Sequence, residues 1–245
     1  MPGQPTGPRR KRAPMTATAA PAEIARFDAL AADWWNPTGP MRPLHAMNPA
    51  RVAWIAARID AAFPAAAPRL LDVGCGAGLA AEALALRGFD VTGIDAAAAP
   101  LAAAAAHAPP GLRLAYRCAA PETLAEEGRR YDVITALEVI EHVPDPAGFL
   151  GVLARLLAPG GLVVLSTLSR TPAAFLTAKL GAEYVLRLLP AGTHDWRRFL
   201  TPAELARRLR GAGLRPTEVT GLAPSTRGWT TGGAPRVNYL MAARG

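Results

Sequence analysis

The stretch Leu70-Leu71-Asp72-Val73-Gly74-Cys75-Gly76-Ala77-Gly78 limits the fold more than any other part of the chain. An apolar run of strand length ends in three glycines at alternate positions. Glycine is needed where a backbone must turn sharply or let a ligand approach without a Cβ in the way. The dinucleotide pattern Gly-x-Gly-x-x-Gly would place its last glycine where Leu79 stands, so that match fails. The next apolar run ends in Asp95, twenty-one residues after Gly74, where an acid can accept both ribose hydroxyls of an adenosine.

Strand and helix patterns alternate from here onward. Strands are expected at 70–73, 90–94, 112–117, 131–137, 162–167, 214–220 and 237–242. Helices are expected over 79–87, up to about Ala108, over 145–157 and from Thr201. This alternation predicts βαβ units and a mostly parallel sheet in an α/β fold. Upstream, Ile24, Phe27, Leu30 and Trp34 recur at helical spacing, and Asn48 and Pro49 read as N-cap and first residue of a helix reaching about Phe63. The organisation is thus a tail, 1–21, and one domain, 22–245. The domain carries an insertion, 171–200, of a length that usually serves as a lid or binding element.

The net charge of +8 divides evenly. Half of it comes from Arg9, Arg10, Lys11 and Arg12, set among Pro2, Pro5, Pro8 and Pro14, which favours a solvated disordered tail over a nucleic-acid arm. Residues 13–20 lack the Leu-rich core of a signal peptide and the continuous amphipathic helix of a transit peptide. The Ala-rich run 96–108 is broken by Pro100 and is too weakly apolar to span a bilayer. Two cysteines, Cys75 and Cys118, exclude a disulfide framework and a four-cysteine zinc site, and point to a reduced, cytoplasmic protein.

A second polar cluster, Glu138-Val139-Ile140-Glu141-His142-Val143-Pro144-Asp145-Pro146, follows the strand from Tyr131. Parallel sheets bind ligands beyond the carboxyl ends of their strands, so it faces the same crevice as Gly74. If the segment forms one helical turn, Glu138, Glu141 and His142 share a face. They would then hold Mg²⁺ or Mn²⁺; alternatively Glu141 orients His142 as a general base, or the acids merely open a helix.

The Gly-x-Gly-x-Gly loop after Asp72, with Asp95 closing the second strand, resembles the S-adenosylmethionine site of class I methyltransferases. Over 23–244 the chain resembles the ubiquinone-biosynthesis O-methyltransferase family. The resemblance rests on Trp34-Trp35, Pro43-Leu44-His45, Asn48-Pro49, Glu141-His142-Val143-Pro144-Asp145-Pro146, Gly181-Ala182-Glu183-Tyr184, Gly192-Thr193-His194-Asp195 and Val237-Asn238-Tyr239. It implies a Rossmann-like seven-stranded sheet with helices on both faces and an N-terminal helical extension. It also implies methyl transfer to polyprenylated catechol-type hydroxyls at two steps, on 2-polyprenyl-6-hydroxyphenol and 3-demethylubiquinol. Family cofactor contacts fall on Arg51, Gly74, Asp95 and Leu137, with Gly76 and Gly78 completing the loop. A divalent metal is associated with Glu138, Glu141 and His142. Ala77, where a glycine is common, and the bland Ala96–Ala99 depart from the family pattern.

Within the insertion, Leu176, Leu180, Tyr184 and Leu188 repeat every fourth residue beside a row of Lys179, Glu183 and Arg187. This helix either packs on the sheet edge or lies in an anionic membrane surface through which a lipid quinone precursor enters. Resemblance to membrane-associated enzymes favours peripheral attachment to the inner membrane and allows contact with other quinone-pathway proteins. Trp34, Trp35 and Trp54 are expected to be packing groups, His45 and His194 to sit in loops, and His107 to have no partner. The competing readings are an RNA or other small-molecule methyltransferase, suggested by the basic pI, and a non-enzymatic assembly protein of the quinone pathway.

Overall fold

The computed structural model describes residues 21–64, 67–172, 174, 198–226 and 228–245. The tail 1–20 and most of the insertion, including its amphipathic helix and His194, lie outside the described residues. Pro21, assigned to the tail from sequence, instead opens helix α1 (Pro21–Leu30), which a short 3-10 turn extends to Asp33.

The remaining elements run α2 (Arg42–Ala62), β1 (Arg69–Val73), α3 (Leu79–Ala85), β2 (Asp90–Asp95), α4 (Ala98–His107), β3 (Leu114–Cys118), α5 (Pro121–Glu126), β4 (Tyr131–Leu137), α6 (Pro146–Leu156), β5 (Leu157–Leu168), α7 (Pro202–Gly211), β6 (Arg215–Ser225), β7 (Gly228–Gly233) and β8 (Asn238–Arg244). One sheet has the order β3-β2-β1-β4-β5-β8-β6-β7. Its first five strands are parallel, whereas β8 runs antiparallel between β5 and β6. The expected doubly covered α/β sheet is present with eight strands rather than seven. The extra strand, β7, reads Gly-Trp-Thr-Thr-Gly-Gly and lacks the apolar alternation that marks a strand in sequence.

Alternate strand residues enter two different cores because successive Cβ atoms point to opposite faces. Leu70, Val91, Val133, Val164 and Leu240 pack beneath α2 and α3 with Ile55, Ile59 and Leu84. Leu71, Ile134, Val163, Leu165 and Tyr239 pack on the other face with Phe149, Leu153 and Leu209. Burial on both faces explains the near-continuous apolar runs of these strands.

Helix ends follow local chemistry. Asp145 caps α6 by accepting from Ala147 N at 3.1 Å, with Pro146 at the first position. Thr201 and Glu204 form a reciprocal capping box on α7. The expected start of α2 is corrected: the helix begins at Arg42 and contains Pro49. Asn48 is a buried interior residue whose Nδ2 donates to Leu79 O at 2.7 Å, tying α2 to the start of α3.

Candidate functional site

The direction of the chain reverses between β1, whose onward neighbours are β2 and β3, and β4, which adds on β1's other side. Crevices at such switch points lie outside the carboxyl ends of the strands. Here a cavity of about 600 Å³ opens at that place. Arg51, Gly74, Gly76, Asp95, Leu137, Glu138, Glu141 and His142 all line it, so elements far apart in sequence bring together all but one of the expected residues. Gly78 is the exception. It adopts φ +85° at the start of α3, and a Cβ there would strike the Tyr116 hydroxyl, so packing and backbone both hold this position to glycine.

The glycine loop is built on β2. Gly74 N and Cys75 N both donate to Ile94 O, at 2.8 and 3.0 Å. Gly74 (φ +69°) and Gly76 (φ +54°) both require the left-handed region. A Cβ on Gly74 would stand 2.6 Å from Val139 Cγ2. Asp95 accepts from Gly76 N at 2.9 Å and from Ala97 N at 2.8 Å, so the strand-end acid also fixes the loop. Burial raises the Asp95 carboxyl, opposed by these backbone hydrogen bonds. Beyond it, Ala96, Ala97, Ala119 and Pro121 make a slot of small apolar groups suited to a flat heterocycle.

A buried charge cluster lies at the other end of the loop. Arg51 is 4% exposed and donates to Asn48 Oδ1 at 3.1 Å. Burial lowers its guanidinium, while Glu138 and Asp72 oppose that shift. Asp72, to which the sequence alone assigns no role, accepts from Thr135 Oγ1 at 2.6 Å. Burial pushes its carboxyl up to about 6, against the pull of Thr135 and Arg51. The signal for it was a lone carboxylate inside an otherwise apolar strand.

The helical turn that would put Glu138, Glu141 and His142 on one face does not form. The chain leaves β4 through Glu138 at φ +58°, the one non-glycine residue with positive φ among the described residues, and continues in turns. Glu138 Oε1 accepts from Ser166 Oγ at 2.7 Å and from Asn238 Nδ2 at 3.1 Å. Glu141 is 4% exposed; burial, and then the Glu138 carboxylate, push it well above the usual carboxylate range. Its Oε2 has no hydrogen-bond partner among the described residues. His142 meets the edge of Phe27, ring centroids 5.9 Å apart. As placed, Glu138, Glu141 and His142 do not fit a three-donor metal site, and no such group occurs among the described residues. The positive φ of Glu138 takes the segment out of the helical spacing that would align all three.

The N-terminal segment covers the cavity. Phe27, Leu30, Trp34 and Met41 form a small apolar cluster with Ala77 and Leu79 of the loop. Trp34 and Trp54 are buried as expected, and Trp34 also lines the cavity. Two histidine expectations are corrected. His45 lies in α2, with Nε2 2.7 Å from Trp34 O. His107 has two partners, Glu82 Oε2 at 2.8 Å and the ring of Trp35 stacked at 3.4 Å.

Sheet order, glycine loop and strand-end acid together define a class I S-adenosylmethionine-dependent methyltransferase, and residues 47–219 match the Methyltransferase domain family. The chain is similar to magnesium protoporphyrin IX methyltransferase from Synechocystis, solved with bound SAH, with TM-score 0.66 and 22% identity over 91% of this chain and 99% of that one. It is 48% identical over 228 residues to the ubiquinone biosynthesis O-methyltransferase of Marinobacter nauticus, covering 91% of this chain and 94% of the relative. The corresponding protein of Bordetella avium is 47% identical over 91% of this chain and 93% of its own. The chain belongs to the ubiquinone biosynthesis O-methyltransferase family, whose members use S-adenosylmethionine.

Proposed function

We propose that the protein methylates a hydroxyl of polyprenylated catechol-type intermediates of ubiquinone assembly, 2-polyprenyl-6-hydroxyphenol and 3-demethylubiquinol. The observation carrying this reading is one cavity with two unlike ends. The loop end, with Gly74, Gly76 and Asp95, suits an adenosine and its methionine chain, and Arg51 would meet the methionine carboxylate. Elsewhere the lining is rich in apolar groups, with Phe27 against His142 and with Leu168, Trp229 and Val237 from the β5–β8–β7 side of the sheet, and suits an aromatic ring bearing a lipid tail.

When bound, S-adenosylmethionine supplies a sulfonium methyl that an oxygen anion displaces in line, at a near-attack separation of roughly 3 to 3.5 Å. A neutral phenol is a poor nucleophile, so the protein must remove its proton. His142 is the base at the acceptor end, and the covering segment excludes water around it. Glu141 shapes this end, while Glu138 and Asp72 supply the negative charge opposite Arg51.

A second reading has one observation in its favour: Glu141 Oε2 is buried beside another carboxylate, with no hydrogen-bond partner among the described residues. Either a proton or a divalent ion would relieve that arrangement. An ion held by Glu138, Glu141 and His142 after local rearrangement would act as a Lewis acid on the catechol oxygen. The test is a methylation assay on a short-chain polyprenyl catechol, with product detected by mass. Full turnover in excess chelator, together with loss in His142→Ala, supports the base. Loss in chelator restored by Mg²⁺ or Mn²⁺ establishes the ion instead. No methylated product under either condition sinks both.

Among the described residues no helix is long and apolar enough to cross a membrane. Peripheral attachment through the basic and apolar face of the insertion 171–200 is part of the proposal and is supported by its sequence pattern alone.

A further inference from the structure

Asn238 has no part in the chemistry above, yet it lines the cavity beside Val237 and is only 4% exposed. Its Nδ2 donates to Glu138 Oε1 at 3.1 Å, across one hundred residues of sequence. Chemistry fixes the orientation of that amide. Turned over, its oxygen would face a carboxylate oxygen, and two acceptors would stand at hydrogen-bond distance. The amide oxygen Oδ1 is therefore committed to the other side, where it is buried in the cavity wall and has no donor among the described residues.

A buried acceptor without a donor is rare in folded proteins and calls for a partner that arrives from elsewhere. The hydrogen-bond partner of its amide is Glu138, an acceptor, and its register partners on β5 and β6 are the apolar Leu168 and Leu222. A catechol ring brings two O–H donors. One gives its proton to the base and is methylated; the other keeps its proton throughout. We infer that Asn238 reads this second hydroxyl: Oδ1 accepts its hydrogen bond, while Nδ2 holds the Glu138 carboxylate in place. Asn238 is then the residue that separates an adjacent diol from an isolated phenol. Sites built to bond a substrate hydroxyl reject analogues lacking it far more strongly than apolar pockets do.

The inference rests on the O-methyl transfer proposed above, and the test keeps the two apart. kcat/KM is measured for a short-chain polyprenyl catechol and for the same ring with the neighbouring hydroxyl replaced by hydrogen. The proteins are wild type, Asn238→Ala and Ser166→Ala. Ser166→Ala removes the other donor to Glu138 Oε1 and so serves as the positioning control. The catechol-to-phenol ratio should fall roughly 10- to 100-fold in Asn238→Ala and stay within about threefold of wild type in Ser166→Ala. S-adenosylmethionine affinity by calorimetry checks that each variant retains its cofactor site. If Asn238→Ala does not fold, Asn238→Leu, closer in volume, carries the same comparison. A ratio unchanged in the Asn238 variant, with both rings slowed alike, overturns the inference and leaves Asn238 a support for Glu138. Wild-type protein that methylates neither ring overturns the proposed activity, and this inference with it.

Discussion

A Cβ placed on Gly76 would stand 2.8 Å from Cη2 of Trp34, so the indole of the N-terminal segment rests directly on the backbone of the cofactor loop. Loop and cover are therefore one packing unit. Gly76→Ala combines this overlap with a residue forced to φ +54°, and should cost about 1 to 3 kcal/mol of stability and at least tenfold in cofactor affinity. Trp34→Phe removes the offending ring atoms. In the double variant it should recover part of the loss, read as a coupling energy of roughly 0.5 kcal/mol or more by denaturant titration.

Asp95 both faces the cavity and accepts from Gly76 N. Asp95→Ala should weaken S-adenosylmethionine binding by about 1.5 to 3 kcal/mol, the range for hydrogen bonds to charged groups. Isothermal calorimetry giving wild-type affinity would remove Asp95 from the site.

Asp72 sets a pH dependence of stability. Its carboxyl is raised from 3.8 to about 6 in the folded protein, so between those values the folded state holds more protons than the unfolded state. Stability contributed by this group therefore falls as pH rises through that window, and the penalty is complete above it. Asp72→Asn keeps an acceptor for Thr135 and cannot ionise. Its stability relative to wild type should be greater at pH 7.5 than at pH 4.5, by roughly 2 kcal/mol from the size of the shift. A flat difference curve across the window would show that Asp72 titrates alike in the folded and unfolded protein, and that its carboxyl is not raised.

The stack of Trp35 on His107, at an interplanar angle of 5°, fastens the N-terminal cover to α4. His107→Ala removes the stack and the partner of Glu82. Limited proteolysis of residues 21–41 should accelerate several-fold, as expected for about 1 kcal/mol of lost docking, while global unfolding barely changes. Equal sensitivity in both proteins would mean the cover is held elsewhere.

For the insertion, vesicles containing anionic lipid should sediment the protein and moderate salt should release part of it. Deleting 179–189 should abolish both sedimentation and turnover of long-tailed substrate, while S-adenosylmethionine binding persists. Unchanged sedimentation in the folded deletion variant would make the segment merely structural.

Much of the sheet was legible because β1, β4 and β5 are covered on both faces and must be apolar throughout. Gly74 and Asp95 were legible because the loop and the strand end are local features with fixed spacing. What escaped depended on distant partners or unusual backbone. Asn238 reaches Glu138 across one intervening strand but one hundred residues of sequence, and Asn48 looked like a cap because its true partner, Leu79 O, is thirty-one residues away. The turn at Glu138 had a partial signal: Pro144 disfavours helical backbone at Val143, limiting any turn that began before it. Nothing in a glutamate announces a left-handed φ. β7 was missed because its edge position needs no apolar face.

The placement of β8 between β5 and β6 has a consequence for synthesis. A chain emerging from the ribosome presents β5 and β6 with an unfilled gap until residues 238–244 follow them. The two sheet halves cannot close, and Glu138 cannot gain its Asn238 partner, before then. Premature termination within the final strand should therefore yield no weakened enzyme, only a chain with two unpaired strand edges, which invites aggregation and disposal.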